Sequence, residues 1–85
     1  MAAQVQYYAI VTVSRSIRAA SGLARRTFAA EGPVDETLRR DMSWQPDSVI
    51  VEWEYGDVGA ELLRVSDDEA ARLTESFQAR WRESA

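Results

Sequence analysis

The residues best suited to chemistry in this chain are two carboxylates within the apolar segment VIVEWEY at residues 49–55. If this segment is an extended strand, Glu52 and Glu54 share one face with a spacing of about 6.5–7 Å. Carboxylate pairs can serve glycoside hydrolysis, but a domain of 85 residues rarely forms both a core and a deep substrate cleft. Two acids on one strand face can instead meet a basic partner, or simply keep a sheet soluble and resistant to edge pairing. We therefore take Glu52 and Glu54 as candidate partner-binding residues.

The residue types missing from the chain exclude much catalytic and metal chemistry. The sequence contains no Cys and no His. Disulfides, thiol nucleophiles, zinc fingers and Ser-His-Asp triads are therefore excluded, and carboxylates alone are poor ligands for transition metals. The sequence has no P-loop, GxGxxG or EF-hand pattern. We predict a protein that is not an enzyme and has no cofactor and no metal site.

Basic residues are concentrated at the start of the chain. The first 30 residues contain Arg15, Arg18, Arg25 and Arg26 and no acid, whereas the remainder contains six Arg and all 14 acids. One interpretation is an Arg patch that binds phosphates or an acidic partner. The other is that these Arg pair with acids of the same chain or of a second copy. The net charge of −4 opposes non-specific binding to nucleic acid.

Trp44 is the third candidate partner-binding residue, because it lies beside a predicted turn, just before Pro46. It either closes the end of the core or is exposed as a contact, and exposed Trp side chains often anchor interfaces. Both interpretations stay open. Trp53 and Trp81 are expected in the core, because each falls on an apolar face of its predicted element.

The alternation of apolar side chains predicts most of the elements before residue 66. Residues 5–13 are typical of a strand, and residues 23–29 favour a strand with a short helix as the competitor. Pro33, with acids four residues before arginines, predicts a short helix over 34–41. Residues 14–22 are predicted to form a loop, residues 44–48 a turn, and residues 49–55 and 60–65 the strands of a hairpin.

The end of the chain has the clearest helical pattern. Ser66 and Glu69 match a capping box, and Ala70, Leu73, Phe77 and Trp81 follow at helical spacing, which predicts an amphipathic helix over 67–82. The predicted order is therefore β-β-α-β-β-α. It indicates a single α+β domain over residues 1–85, with a small, largely antiparallel sheet and its helices on one face.

Several segments resemble short, acidic, uncharacterised proteins of high-GC actinobacteria. These segments are Ser21–Arg26, Gly32–Glu36, Asp41–Trp44, Glu52–Glu54 and Val65–Ala70. The resemblance implies a bacterial, cytoplasmic protein, and it implies no activity. The sequence also lacks a signal-peptide pattern and an apolar run long enough to span a membrane, so we expect no membrane partner.

The sequence favours a small cytoplasmic protein-binding module without enzymatic activity. Such a module would be an accessory subunit, a regulator, or an inhibitor of the antitoxin or immunity type. The chain has only 26 apolar residues larger than Ala from which to build a core, which makes a protein partner or self-association a reasonable source of stability. Two alternatives stay open: a nucleic-acid-binding protein that uses the N-terminal Arg patch, and a homo-oligomeric structural protein.

Overall fold

The computed structural model of the protein describes residues 4–11, 20–56 and 61–83. In chain order the elements are β1 (Gln4–Val11), β2 (Gly22–Ala29), β3 (Gly32–Leu38), β4 (Trp44–Pro46), α1 (Val49–Glu54), β5 (Glu61–Val65) and α2 (Asp67–Glu83). Within this part of the chain the five strands form one antiparallel sheet in the order β4-β3-β2-β1-β5. The two helices pack against this sheet, which makes the architecture α+β.

Strand β1 carries apolar side chains on both of its faces. Tyr7, Ala9 and Val11 lie on one face, and Tyr8 and Ile10 lie on the other. A strand with one solvated face would alternate apolar with polar residues, so β1 needs cover on both sides. Helix α2 covers the first face, which we call the α2 face, and helix α1 covers the second, which we call the α1 face.

The larger core lies between α2 and the sheet. Phe77 of α2 is fully buried there, and its ring stacks on Trp81 with centroids 4.9 Å apart. At the far end of the helix, Nη1 of Arg80 donates to the carbonyl of Ala20 at 3.3 Å, so α2 runs back along the sheet from the end of β5. The buried residues of this core are Ala9, Val11, Ala20, Leu23, Leu38, Val65, Ala70 and Phe77.

The smaller core lies between α1 and the sheet. Ile50 of α1 is fully buried against Ala24 and Leu62, and Trp53 packs at its edge. Six helical residues span about 9 Å, whereas the edge strands of a five-stranded sheet lie roughly 19 Å apart. Helix α1 therefore covers only part of its face, and Phe28 on the same face remains 41% exposed.

The helix predicted over residues 34–41 is wrong, because most of this segment forms strand β3. In the β2–β3 register Arg25 lies opposite Glu36, and Arg26 lies opposite Asp35. Both are ion pairs, with N–O distances of 2.9 Å and 2.8 Å. The acids that fitted a helix through i,i+4 pairing are instead paired across two neighbouring strands.

The hairpin predicted over residues 49–65 is also wrong, because residues 49–54 form α1. Ile50 is buried and Val49 and Trp53 are half-buried, and positions 49, 50 and 53 share one side of a helix. Part of the predicted turn before this segment forms the short edge strand β4. The predicted strand over 60–65 is confirmed for Glu61–Val65, but it pairs with β1 rather than with residues 49–55.

Strands β1 and β2 and helix α2 confirm three predicted elements, while the amphipathic character of α2 stays a prediction. The Ser66 hydroxyl accepts the backbone N–H of Glu69 at 3.1 Å, as the capping box predicts. The observed order is β-β-β-β-α-β-α, and the helices lie on opposite faces of the sheet, so the predicted order and the one-sided placement of the helices are wrong. Most of the predicted 14–22 loop and the end of the predicted 5–13 strand lie outside the described residues.

Candidate functional site

An open groove lies on the α2 face, between the start of α2 and strands β1 and β4. Its volume is about 400 Å³. We call it the α2 groove, and its described lining residues are Val5, Tyr7, Trp44, Asp67, Ala70, Ala71 and Thr74. Strand β1 supplies the first two of these residues, β4 supplies Trp44, and the first two turns of α2 supply the rest.

Small side chains on α2 leave the space that the α2 groove occupies. Positions 67, 70, 71 and 74 fall on one side of the helix, because they are three or four residues apart. Two of these positions are Ala, and the Thr74 hydroxyl donates to the carbonyl of Ala70 at 2.7 Å. The Thr74 hydroxyl is thus held against the helix backbone, and the helical wall of the groove combines two Ala methyl groups with the side chains of Asp67 and Thr74.

Trp44 is half-buried and forms the opposite wall of the α2 groove. The Arg25 guanidinium lies 4.1 Å from the centroid of its ring, and the Tyr7 ring lies 6.2 Å away at a tilt of 54°. Both guanidinium contacts of Arg25 with Glu36 are 2.9 Å long. Strand pairing, cation–π contact and ring packing therefore fix the orientation of Trp44. Trp44 packs on the core and also lines the groove, and its role as a partner contact stays a prediction.

Asp67 lies at the edge of the α2 groove and is exposed. It is the one Asp, Glu or Arg among the described lining residues. It starts α2, whose first turn also contains Asp68 and Glu69. This edge of the groove is therefore electronegative.

Arg26 holds α1 to the sheet from the opposite face. Its Nε and Nη2 donate to the two carboxylate oxygens of Asp35 at 2.8 and 2.9 Å. Its Nη1 and Nη2 also donate to the two oxygens of Glu54 at 3.2 and 3.0 Å. The hydrogen bonds that Arg26 donates to Asp35, and then those to Glu54, raise the pKa of Arg26 above its usual range.

The predicted site residues within the described ranges do not converge on one surface. Glu52 and Glu54 lie on α1, where Glu52 accepts the Ser48 hydroxyl at 2.7 Å. Their proposed arrangement on one strand face is therefore wrong. Arg15 and Arg18 lie outside the described residues.

Within the described part of the Arg patch, both guanidiniums are paired inside the chain. Arg25 pairs with Glu36 on the α2 face, and Arg26 pairs with Asp35 and Glu54 on the α1 face. Neighbouring residues of a strand point to opposite faces of a sheet, so these two guanidiniums do not form one contiguous cationic surface.

Sequence reasoning missed the α2 groove except for Trp44. Tyr7 falls within the strand predicted over residues 5–13, and Asp67 falls at the start of the helix predicted over residues 67–82. The available sequence signal was the pair of Ala residues at 70 and 71, one turn after the capping box, together with the aromatic-rich strand near the start of the chain. That pattern becomes informative only when the strand beside the helix is known.

No protein-family model, curated protein or solved structure matches the chain. Among residues 4–11, 20–56 and 61–83, no three His, Cys, Asp or Glu side chains are grouped so that they could hold a metal ion. Neither described helix has the length and apolar character needed to cross a bilayer.

Proposed function

We propose that the protein is a small, cytoplasmic, non-enzymatic binding module that takes a segment of a partner protein into the α2 groove. The observation that supports this most is the groove itself, in which Ala70 and Ala71 of α2 leave room beside Tyr7 and Trp44. Tyr and Trp side chains are enriched at protein interfaces and often anchor them. The module would act by occupying a partner's surface, as an accessory subunit, a regulator or an inhibitor of the antitoxin or immunity type.

The chemistry of the α2 groove supports binding rather than catalysis. Its described lining offers one carboxylate, one phenol, one indole and one hydroxyl, and that hydroxyl is bonded to the helix backbone. A hydrolytic site needs a nucleophile or base next to a second group that stabilises developing charge. Asp67 is exposed at the groove edge and has no such neighbour among these lining residues.

Capture of partners by the tagged, full-length protein from the cells that produce it tests this proposal. The key variant is Ala71→Arg, which fills the groove from an exposed helical position. The matched control is Ala79→Arg, at an exposed position of the same helix that does not line the groove. Arg is a good helix former, so both variants should keep the fold, as circular dichroism and thermal unfolding would show.

We expect a stoichiometric protein partner that resists nuclease treatment, is retained by Ala79→Arg and is lost by Ala71→Arg. Equal retention by both variants would show that the partner binds elsewhere, and the groove proposal would fail. Recovery of the chain alone, with a mass that rises with concentration in analytical ultracentrifugation, would favour the homo-oligomeric alternative.

Binding of nucleic acid through Arg15, Arg18, Arg25 and Arg26 is the remaining alternative. It predicts a complex that nuclease destroys and whose affinity falls steeply with salt. The intramolecular pairs of Arg25 and Arg26 weigh against it, because those pairs would have to be broken or shared.

A further inference from the structure

The α2 groove combines two aromatic rings with a single carboxylate. Tyr7 and Trp44 form one side of it, and Asp67 lies at its edge. Aromatic faces attract cations through their quadrupole, and a carboxylate nearby adds a direct charge contact. The flat, weakly hydrated guanidinium of Arg is especially suited to such a site, because it stacks on rings and binds carboxylates in the same pose.

The same contact already exists inside the molecule. Arg25 lies 4.1 Å from the centroid of the Trp44 ring while both of its guanidinium contacts go to Glu36. The charge of Arg25 is therefore balanced within the chain. The groove edge at Asp67 continues into Asp68 and Glu69, and the whole chain carries a net charge of −4. The charge of the site is thus complementary to a cationic side chain.

From this complementarity we infer that the occupant of the α2 groove is a partner segment that presents an Arg or Lys side chain to Asp67, with apolar neighbours against Ala70, Ala71 and Trp44. This inference rests on the proposed function and narrows it to a basic peptide segment. Salt weakens such a complex moderately, because one main charge contact is screened.

A phage-displayed library of random heptapeptides, selected on the immobilised full-length protein at 150 mM salt, tests the inference directly. We expect the enriched peptides to contain Arg or Lys beside apolar residues, and Ala71→Arg to abolish their capture. The Kd of the best synthetic peptide would then be measured by NMR titration against three proteins: the unaltered chain, Asp67→Asn and Asp68→Asn.

The two Asn variants form a matched pair. Both acids are exposed in the first turn of α2, and both changes remove one negative charge, but only Asp67 lines the groove. We expect Asp67→Asn to weaken binding about tenfold, which corresponds to one charge-assisted hydrogen bond. Asp68→Asn should change the Kd less than about twofold.

The outcomes separate this inference from the proposed function. Enriched peptides that lack basic residues, but are blocked by Ala71→Arg, would overturn the cationic occupant and leave the groove as the binding surface. Equal effects of Asp67→Asn and Asp68→Asn on the Kd would mean that the peptide is attracted by the overall negative charge of this helix end and not by a contact with Asp67. That result would also overturn the inference. If Ala71→Arg blocks none of the selected peptides, both the cationic occupant and the groove as a binding surface are overturned.

Discussion

Arg25 and Arg26 are neighbours in the chain, yet they stabilise opposite faces of the sheet. Arg25 connects Glu36 to the Trp44 ring beside the α2 groove. Arg26 connects Asp35 in β3 to Glu54 in α1. The alternation of a strand produces this division, so one Arg orients a wall of the candidate site while the other attaches the short helix behind it.

The three members of the Arg26 cluster should contribute unequally to stability. The side chains of Arg26 and Asp35 are each 13% exposed, whereas Glu54 is 47% exposed. Arg26→Gln leaves the buried Asp35 carboxylate without its cation, and we expect it to reduce the free energy of unfolding by about 2–3 kcal/mol. Glu54→Gln removes a solvent-screened pair, and we expect a loss below about 1 kcal/mol.

Urea unfolding of both variants, followed by tryptophan fluorescence, measures this difference. Arg72→Gln, at an exposed position of α2, is the control for the loss of one Arg. Equal destabilisation by Arg26→Gln and Arg72→Gln would contradict a structural role for the cluster.

At the scale of elements, α1 depends on residues that lie outside it. Helices shorter than about 12 residues are marginal in isolation, and α1 has six. Asp47, just before it, accepts the backbone N–H of Val49 at 2.9 Å through Oδ1. Through Oδ2 it accepts the Thr37 hydroxyl and Arg39, both at 3.2 Å. One carboxylate thus joins the start of α1 to the end of β3.

Replacement of Asp47 should loosen α1 from the sheet. We expect Asp47→Ala to lower the free energy of unfolding by about 2 kcal/mol, because the helix loses its cap and the buried Thr37 hydroxyl loses its acceptor. Asp47→Asn keeps an oxygen for the cap and should lose about half as much. In both variants the α1 amides should exchange faster than the loss of global stability alone explains, whereas the core strands should follow that global loss. Protection of α1 unchanged in Asp47→Ala would show that the helix does not need this cap.

Two of the elements that the sequence predicted correctly, α2 and β1, have patterns that only one structure satisfies. The capping box and the four apolar positions of α2 fit a long helix, and the β-branched and aromatic residues of β1 fit a strand. Residues 49–54 are different, because apolar residues at 49, 50, 51 and 53 fit both alternation and helical spacing. Over six residues the two periods are not distinguishable, and the burial of Ile50 against Ala24 and Leu62 decides the outcome.

The wrong prediction of a helix over residues 34–41, where β3 forms, has a different cause. The same acidic residues can form ion pairs within a helix or across two strands. Asp35 and Glu36 suit arginines four residues later in a helix, and they equally suit Arg26 and Arg25 in a hairpin that turns at Ala30 and Glu31. The turn between β3 and β4 also lacks a sequence signal. Its residue with positive φ is Met42, at 67°, rather than Gly or Asn. The α2 groove could not be predicted because it needs β4 beside β3, and the residues of β4 were predicted to form a turn.

At the scale of the whole molecule, the sheet separates two cores, and none of the side chains in the described ranges belongs to both. Phe77 fills the core on the α2 face, and Ile50 fills the core on the α1 face. The α2 groove opens beside the larger core, so that core holds the helical wall of the candidate site. The smaller core and the Arg26 cluster lie behind the sheet. Changes on the α1 face are therefore expected to alter stability without changing the groove.

Mild truncations on the two faces should have additive effects on stability. We expect Ile50→Val to lower the free energy of unfolding by about 1 kcal/mol and Phe77→Leu by about 1–2 kcal/mol. Because the strands lie between the two side chains, the double variant should show their sum to within about 0.5 kcal/mol. Equilibrium urea unfolding of the four proteins measures this coupling. A coupling above about 1 kcal/mol would mean that the sheet transmits repacking from one face to the other, and α1 would then be able to influence binding in the α2 groove.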